Sequence, residues 1–366
     1  MDKEQILKMQ EECLFPDSCQ NSAFTETHIS WIVITDQYAF KVKRPVTLPF
    51  LDFSTPEKRK FYCNQEVKLN RRLAPDMYLG IVPITSSLST GKMDQDSDDD
   101  IIDYAVQMKR MDNKKEMHKM LAENKVTEEH LEKLARKIAQ FHQNTQIVKN
   151  AFNTAGMINE FAAIRDVLDD DTGNQLISVE SKKIVNKCIE KSKNYLNENR
   201  SFLNDRILND FQRDCHGDLN ATNIFLYEDP VIFDCIEFND DFRYIDILNE
   251  IAFLCVDLDF YDYEQAGDVY YRNYLQFAGM KEDENSRKLF SFYKSYRANI
   301  RAKVTLISYK EHPEDKQKLQ DAKRYINLMN KYFGRFPPAA WPGQAVAAGT
   351  ALETARPVGI SIGFAS

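Results

Sequence analysis

The chain has no apolar run approaching the length of a membrane span, and it opens on the polar segment "MDKEQILKMQEE". Neither a membrane-spanning helix nor a signal peptide is therefore expected. It contains no G-x-x-x-x-G-K-[ST], which excludes a P-loop kinase domain. It has no excess of positive charge: the net charge is −8, and a general nucleic-acid binder would show a basic face. The seven cysteines are odd in number and scattered, without a C-x-x-C pair, so neither a disulfide framework nor a zinc knuckle is expected. A reducing, cytoplasmic setting is the simplest reading. What is present is ordinary for a soluble globular protein, with 43% hydrophobic and 28% charged residues. At 366 residues the chain can build two lobes or domains with a substantial core.

The first hundred or so residues read as strands with one helix inserted. "HISWIVIT" and "YAFKVKRP" are β-rich runs joined by "DQ", a hairpin turn. "STPEKRKFYCNQEVKLNRRLA" opens with a helix start signal, Ser54 three residues before Glu57 with Pro56 in the first turn. "YLGIVPIT" and "IIDYAVQMKRM" again read as strands. From Thr127 onward the texture is helical: Leu131, Leu134, Ile138 and Phe141 recur at a helical period, and 157–212 is mostly helix with a break at "DDDTGN". The acidic run "DQDSDDD" (94–100) fails the EF-hand pattern, with Asp99 where glycine is needed and Ala105 where the closing glutamate belongs. A solvated loop between two strands is expected there. The Ala/Gly/Pro-rich tail 337–366 differs from the Lys- and Asn-rich body and reads as disordered or as an expression remnant.

Chemistry concentrates between Arg213 and Phe238. Phosphoryl transfer from ATP needs a carboxylate to orient the acceptor hydroxyl and metal ions to neutralise the phosphates. Kinase-type sites supply these as H-R-D-L-x-x-x-N followed by an aspartate at the next strand end. "HGDLNATN" places His216, Asp218, Leu219 and Asn223 at that spacing, with Gly217 in place of arginine. "IFLY", the turn "EDP" and "VIFD" then form a hairpin that ends on Asp234 and returns it toward Asn223. The bland alternative is an ordinary hairpin with Asp218 and Asn223 as turn formers. Upstream, the strand "YAFKVKR" puts Ala39, Lys41 and Lys43 on one face and Tyr38, Phe40 and Val42 on the other. Lys41 matches the A-x-K of a kinase strand and Lys43 is its rival; exposed lysines on an edge strand are the alternative to both. In the following helix Glu66 falls in the apolar stripe of Tyr62, Leu69 and Leu73, where an unpaired carboxylate is costly. A Lys41–Glu66 ion pair removes that cost; the alternative is a margin position from which Glu66 reaches water.

On these residues the chain resembles the aminoglycoside phosphotransferase-like branch of the protein kinase-like fold, and within it a bacterial group of aminoglycoside phosphotransferase family enzymes. "THISWIVITDQYAFKVKRPV", "FLDFSTPEKRKFYCNQEVKLNRRLAPDMYLGIVPI", "CHGDLNATNIF", "FDCIEFNDDFRYIDILNEIAFLCVDLD" and "FYKSYRANIRAKV" carry the resemblance over most of 27–304. It implies a bilobal α+β fold: a β-rich N-lobe (1–112), a hinge near "QMKRM", and a mainly helical C-lobe (113–336). It also implies ATP and Mg²⁺ as cofactors and a small-molecule acceptor. Asp218 would be the catalytic base, with His216 bracing backbone in the same loop. Asn223 and Asp234 would be the magnesium ligands, and Lys41 and Glu66 the nucleotide-anchoring pair. Three departures stand out: Asn220 where the group commonly has histidine, Glu250 where aspartate is usual, and no glycine-rich loop before Lys41. The "THIS" turn is expected to cover the phosphates instead.

The remaining residues have plainer readings. Cys215 and Cys235 lie in apolar strand context and read as packing. His28, His118, His130, His142 and His312 show no ligand spacing. Glu237, Asp240, Asp241, Asp246, Glu250, Asp257 and Asp259 read either as solvated or as an acidic pocket for a cationic acceptor. Arg297, Arg301 and Lys303 either balance those acids or face solvent. The partner expected is a small molecule, with no nucleic acid and no membrane; the sequence does not specify an oligomeric state. The competing functions are a protein kinase, disfavoured by the absence of D-F-G and A-P-E, and a nucleotide-binding regulator without turnover.

Overall fold

The computed structural model describes residues 1–48, 51–88, 90, 100–169 and 176–334. Residues 94–99 of the acidic run, 170–174 of the break and the tail 337–366 lie outside the described residues. The N-terminal part contains α1 (Lys3–Glu11), β1 (Ala23–Glu26), β2 (Ser30–Ile34), β3 (Tyr38–Lys43), β4 (Thr47–Leu48), β5 (Leu51–Asp52), α2 (Pro56–Asn70), β6 (Tyr78–Thr85) and β7 (Ile101–Lys109). The C-terminal part contains α3 (Met117–Ala122), α4 (Glu128–Asn144), α5 (Thr154–Ala162), α6 (Val179–Glu198), α7 (Arg200–Leu208) and β8 (Gln212–Asp214). It continues through β9 (Ile224–Phe225), β10 (Val231–Ile232), β11 (Tyr244–Asp246), α8 (Ile247–Phe260), α9 (Glu264–Phe277), α10 (Glu284–Glu311) and α11 (Lys316–Gly334). The molecule is thus a bilobal α+β fold.

The N-terminal sheet is antiparallel with the order β1-β2-β3-β7-β6. β3 is its central strand, so Lys41 and Lys43 are not edge-strand lysines. The alternation read from "YAFKVK" holds. Phe40 and Val42 turn toward Ile6 and Met9 of α1, Phe15, Trp31 and Val33, forming a buried core on one side of the sheet. On the other side Val106 and Met108 meet Cys63 and Val67 of α2. Each fully buried apolar side chain of this kind contributes about 1.5–3 kcal/mol.

Three local expectations are corrected. Helix α1 was not expected, and it covers the outer side of the sheet through Ile6 and Met9. The cap of α2 is Thr55, whose hydroxyl accepts from Lys58 N, rather than Ser54; Pro56 occupies the first turn. Cys13 and Cys19 are joined by a disulfide, contrary to the expectation of none, while Cys63, Cys188, Cys215, Cys235 and Cys255 are free and buried.

The helical C-lobe has one large core that holds Leu131, Leu134, Ile138 and Phe141 of α4 together with residues of α8, α9 and α10, and in it α4 packs directly on α9. No helix among the described residues is long and apolar enough to cross a membrane.

α2 is held to the sheet by charge as well as by packing. Arg59, 2% exposed, donates from Nε to Asp103 Oδ1 at 2.9 Å and from Nη2 to Oδ2 at 2.8 Å, and from Nη1 to Phe53 O at 2.9 Å. Truncating one partner strands a buried charge. Arg59→Ala is expected to lower unfolding free energy by about 3–5 kcal/mol, whereas Arg59→Met with Asp103→Leu recovers most of that loss. Urea unfolding checks both; a loss below about 1 kcal/mol for the single variant contradicts the assignment.

Candidate active site

The loop between β8 and β9 is shaped by its own side chains. Gly217 has φ +87°, and a Cβ there would lie 2.8 Å from Phe242 O, so no arginine can occupy the position it holds in protein kinases. His216 is fully buried and bridges backbone: Nε2 pairs with Phe233 O at 2.9 Å, and Nδ1 accepts from Asp218 N at 3.3 Å. Those two bonds suit a neutral ring, and burial lowers its pKa to about 3. The expected bracing role matches this geometry.

Asp218 accepts from Asn223 Nδ2 at 2.7 Å through Oδ2, and Asn223 Nδ2 also meets Asp218 O at 3.0 Å. Committing the amide nitrogen in this way fixes the direction of the Asn223 carbonyl oxygen. Asn220, where histidine was expected, accepts from Thr222 N and caps the short turn Ala221–Asn223. The hairpin of β9 and β10 forms as read, with Ile224 opposite Ile232, and delivers Asp234 at φ +62°. Aspartate tolerates that left-handed conformation better than most residues. Burial raises the Asp218 pKa, and the nearby Asp234 charge adds to the effect.

Across the cleft Lys41 Nζ lies 3.0 Å from Glu66 Oε1 and 2.5 Å from Asp234 Oδ1. Glu66 is completely buried, so the alternative in which it reaches water fails. Lys43 occupies a different place: fully buried, it meets Glu66 Oε2 at 2.8 Å, pairs with Glu237 and lies over the Phe53 ring. Lys41 lines the cleft and Lys43 stands behind it. Burial alone would raise the Glu66 pKa, but the two ammonium groups outweigh it and hold the carboxyl down at about 2. Burial also works against the Lys41 ammonium, and Asp234 and Glu66 overcome it, raising its pKa.

A cavity of about 370 Å³ opens between the sheet and the β9–β10 hairpin. One region of its wall is apolar, with Ile32, Ile34, Ala39, Met108, Phe225 and Phe233; Lys41, Asn223 and Asp234 supply polar groups. The "THIS" turn spends its amides internally, since Thr27 Oγ1 accepts from Ile29 N and Ser30 N. The expected phosphate cover is therefore not formed by those two N–H groups.

Most of the acidic run after Asp234 departs from both of its readings; only Asp240 and Asp241 are exposed. Glu250 is fully buried and accepts from His216 N at 2.6 Å and Gly217 N at 3.0 Å, bracing the loop from α8. Burial raises its pKa to about 7. Asp257 accepts from Ala221 N, Asp246 pairs with Arg206, and Asp259 pairs with Lys294 and accepts from Tyr332. These acids and Glu237 are spent on internal partners. No acidic acceptor pocket is built from them. Of the late basic residues, Arg297 is buried and donates to Gly217 O and Asn249 Oδ1, while Arg301 lies 3.5 Å from Asp257.

Sequence reasoning missed the residues that tie the end of α2 to the β8–β9 loop and to the segment after the hairpin. Asn70 Oδ1 accepts from Cys235 N, and Arg72 donates to Asp214 O and Cys215 O. Both lie between Leu69 and Leu73 of the Glu66 stripe, and their polar character next to buried leucines was the available signal.

No protein-family model matches the chain. Uncharacterised proteins of Mycobacterium tuberculosis and Mycobacterium bovis are 31% identical over 287 residues, 78% of this chain and 55% of theirs. The chain thus spans about half the length of the curated relatives it matches. Among solved structures it is similar to an amicoumacin kinase bound to AMP-PNP, Ca²⁺ and amicoumacin, with a TM-score of 0.54 at 11% identity, covering 90% of this chain and 94% of that one. It is likewise similar to the GDP complex of an aminoglycoside 2'-phosphotransferase, with a TM-score of 0.52 at 12% identity over 90% and 99% of the two chains.

The buried histidines make a pH prediction. Burial lowers His142 to about 3, as it does His216. An unfolded histidine titrates near 6.5, so as pH falls below that value the unfolded chain takes up protons that the folded chain refuses. Each of the two then destabilises the fold by about 1.4 kcal/mol per pH unit until its folded pKa is reached. Imidazole NMR signals of both are expected to stay at neutral positions from pH 8 to 5, and titration near 6.5 contradicts their burial. In its lobes, its central-strand lysine and its loop-and-hairpin C-lobe, the chain has the fold of the aminoglycoside phosphotransferase-like family.

Proposed function

We propose that the protein is an ATP-dependent, Mg²⁺-dependent phosphotransferase that moves the γ-phosphate to a hydroxyl of a small molecule. The observation that carries this reading is the convergence of Lys41, Glu66, Asn223 and Asp234 with Asp218 about one cavity, from segments far apart in sequence. The nucleotide base takes the apolar region. Lys41, held by Glu66, steadies the phosphates; Lys43 supports Glu66 from behind and is not the phosphate anchor. Asp218, fixed by Asn223, orients the acceptor hydroxyl and draws off its proton as the new bond to phosphorus forms and the bond from the γ-phosphorus to the β,γ-bridging oxygen breaks, releasing ADP. The donor set of Asn223 and Asp234 is made of hard oxygens, which suits Mg²⁺. A bound Mg²⁺ would neutralise charge on the β- and γ-phosphates.

Two supporting points come from the neighbours and the chain itself. The similar structures hold GDP or AMP-PNP with Ca²⁺, in keeping with a nucleotide and a divalent ion here. Only residues 235–246 separate Asp234 from α8, leaving little room for a protein-kinase activation segment. We place the lobe boundary at 112/113, just beyond β7, and the setting in the cytoplasm. The acceptor is a small molecule whose charge the internally paired acids do not specify.

The test is transfer of label from γ-labelled ATP, with Mg²⁺, into a bacterial metabolite extract. Wild type is expected to label a small molecule, and Asp218→Asn to do so about 10²–10⁴-fold more slowly. Label on protein contradicts the small-molecule reading, and no label under any condition favours a regulator without turnover.

A further inference from the structure

Several charged groups around the cavity already have partners: Lys41 meets Glu66 and Asp234, Glu116 meets Lys119 at 3.0 Å, and Arg110 donates to Thr35 O. His118 is different. It is 6% exposed and lines the same cavity, yet neither ring nitrogen has a hydrogen-bond partner in the protein. Glu116 Oε2 lies 3.4 Å from Nε2 without forming a hydrogen bond. Leaving such a group unsatisfied is costly, and a ligand atom at the right place removes that cost.

The position of His118 limits what that atom can be. The segment leading into α3 is docked on the catalytic loop and hairpin: Glu116 bridges to Phe225, Leu226 N donates to Lys115 O, and α3 packs on Ala221–Asn223. His118 therefore lines the cavity from the segment docked on Ala221–Asn223, in a wall it shares with Asn223, apolar Phe225 and the charged Asp234 and Lys41. A nucleotide with its base on the apolar wall and its phosphates on the charged groups leaves its sugar between them.

We infer that His118 binds a hydroxyl of the nucleotide's ribose, so that the site discriminates ribonucleotides from their deoxy counterparts. This rests on the nucleotide reading of the cavity given above. A neutral imidazole carries one donor and one acceptor nitrogen, the complement of a hydroxyl, whereas a phosphate favours a cation. Burial lowers the His118 pKa to about 4, with Lys119 and Arg301 acting in the same direction, and so keeps the ring neutral.

The experiment is calorimetric binding of Mg·ADP, Mg·2'-deoxy-ADP and Mg·3'-deoxy-ADP to the full chain. Wild type is expected to bind ADP about 3–10-fold more tightly than at least one deoxy analogue. His118→Phe is expected to lose that discrimination, binding ADP only as well as wild type binds the analogue. His118→Gln, which keeps a donor and an acceptor, is expected to restore part of it. Equal weakening of all three ligands by His118→Phe assigns the residue to packing and overturns the inference. Unchanged nucleotide binding, with only acceptor phosphorylation impaired, overturns it in favour of an acceptor hydroxyl. If wild type binds ADP without distinguishing the analogues, the inference fails while the phosphotransferase reading stands. If wild type binds no nucleotide, both fall.

Discussion

Glu66 is one buried carboxylate between two ammonium groups, and the rest of the site depends on it. Through Lys41 it reaches Asp234 at the end of the β9–β10 hairpin, and through Lys43 it reaches Glu237 three residues further on. The chain of charges joins β3, α2 and the segment after the hairpin, the three pieces the proposed site must align. Removing five charges from water is costly, and well-packed apolar residues in their place would be at least as stable. Stability alone therefore does not account for the cluster. Its geometry does, because Lys41 at the cavity and Lys43 behind it fix the position of α2 from both oxygens of one carboxylate.

The loop between β8 and β9 is held by the same economy of polar groups. His216 bridges two backbone atoms, Glu250 takes two amides, Asp257 a third, and Arg297 a carbonyl. None of these side chains needs to touch a ligand to matter. The loop is almost entirely tied to α8, α10 and the hairpin, so Asp218 and Asn223 stand on a rigid base, as the proposed phosphoryl transfer would require.

Much of this was legible because it is local. The alternation of "YAFKVK" assigns Lys41 and Lys43 to one face, and a glutamate in an apolar helical stripe asks for a buried cation, which Glu66 has. "HGDLNATN" followed by a hairpin and an aspartate needs only spacing. What escaped depends on distant partners. The Lys43–Glu237 pair joins residues 194 positions apart, and Asp257 and Asp259 look solvated until α10 and α11 supply their partners. Helix α1 offers only Ile6 and Met9 as buried residues in an otherwise polar segment, too weak a period to stand out. The cap moved by one residue, to Thr55, because Ser54 instead donates to Asp52.

The similar solved structures share the fold at 11–12% identity, and a fold of this kind serves many chemistries, so the site has to carry the functional argument. The claim at its centre is that Asp234 and Lys41 meet a metal-bound nucleotide in the cavity. Calorimetry of AMP-PNP binding, with and without Mg²⁺, on wild type and on Asp234→Ala tests it most directly. The account predicts Mg²⁺-dependent binding to wild type that Asp234→Ala abolishes while the protein stays folded. Binding that is indifferent to both Mg²⁺ and Asp234 would contradict it.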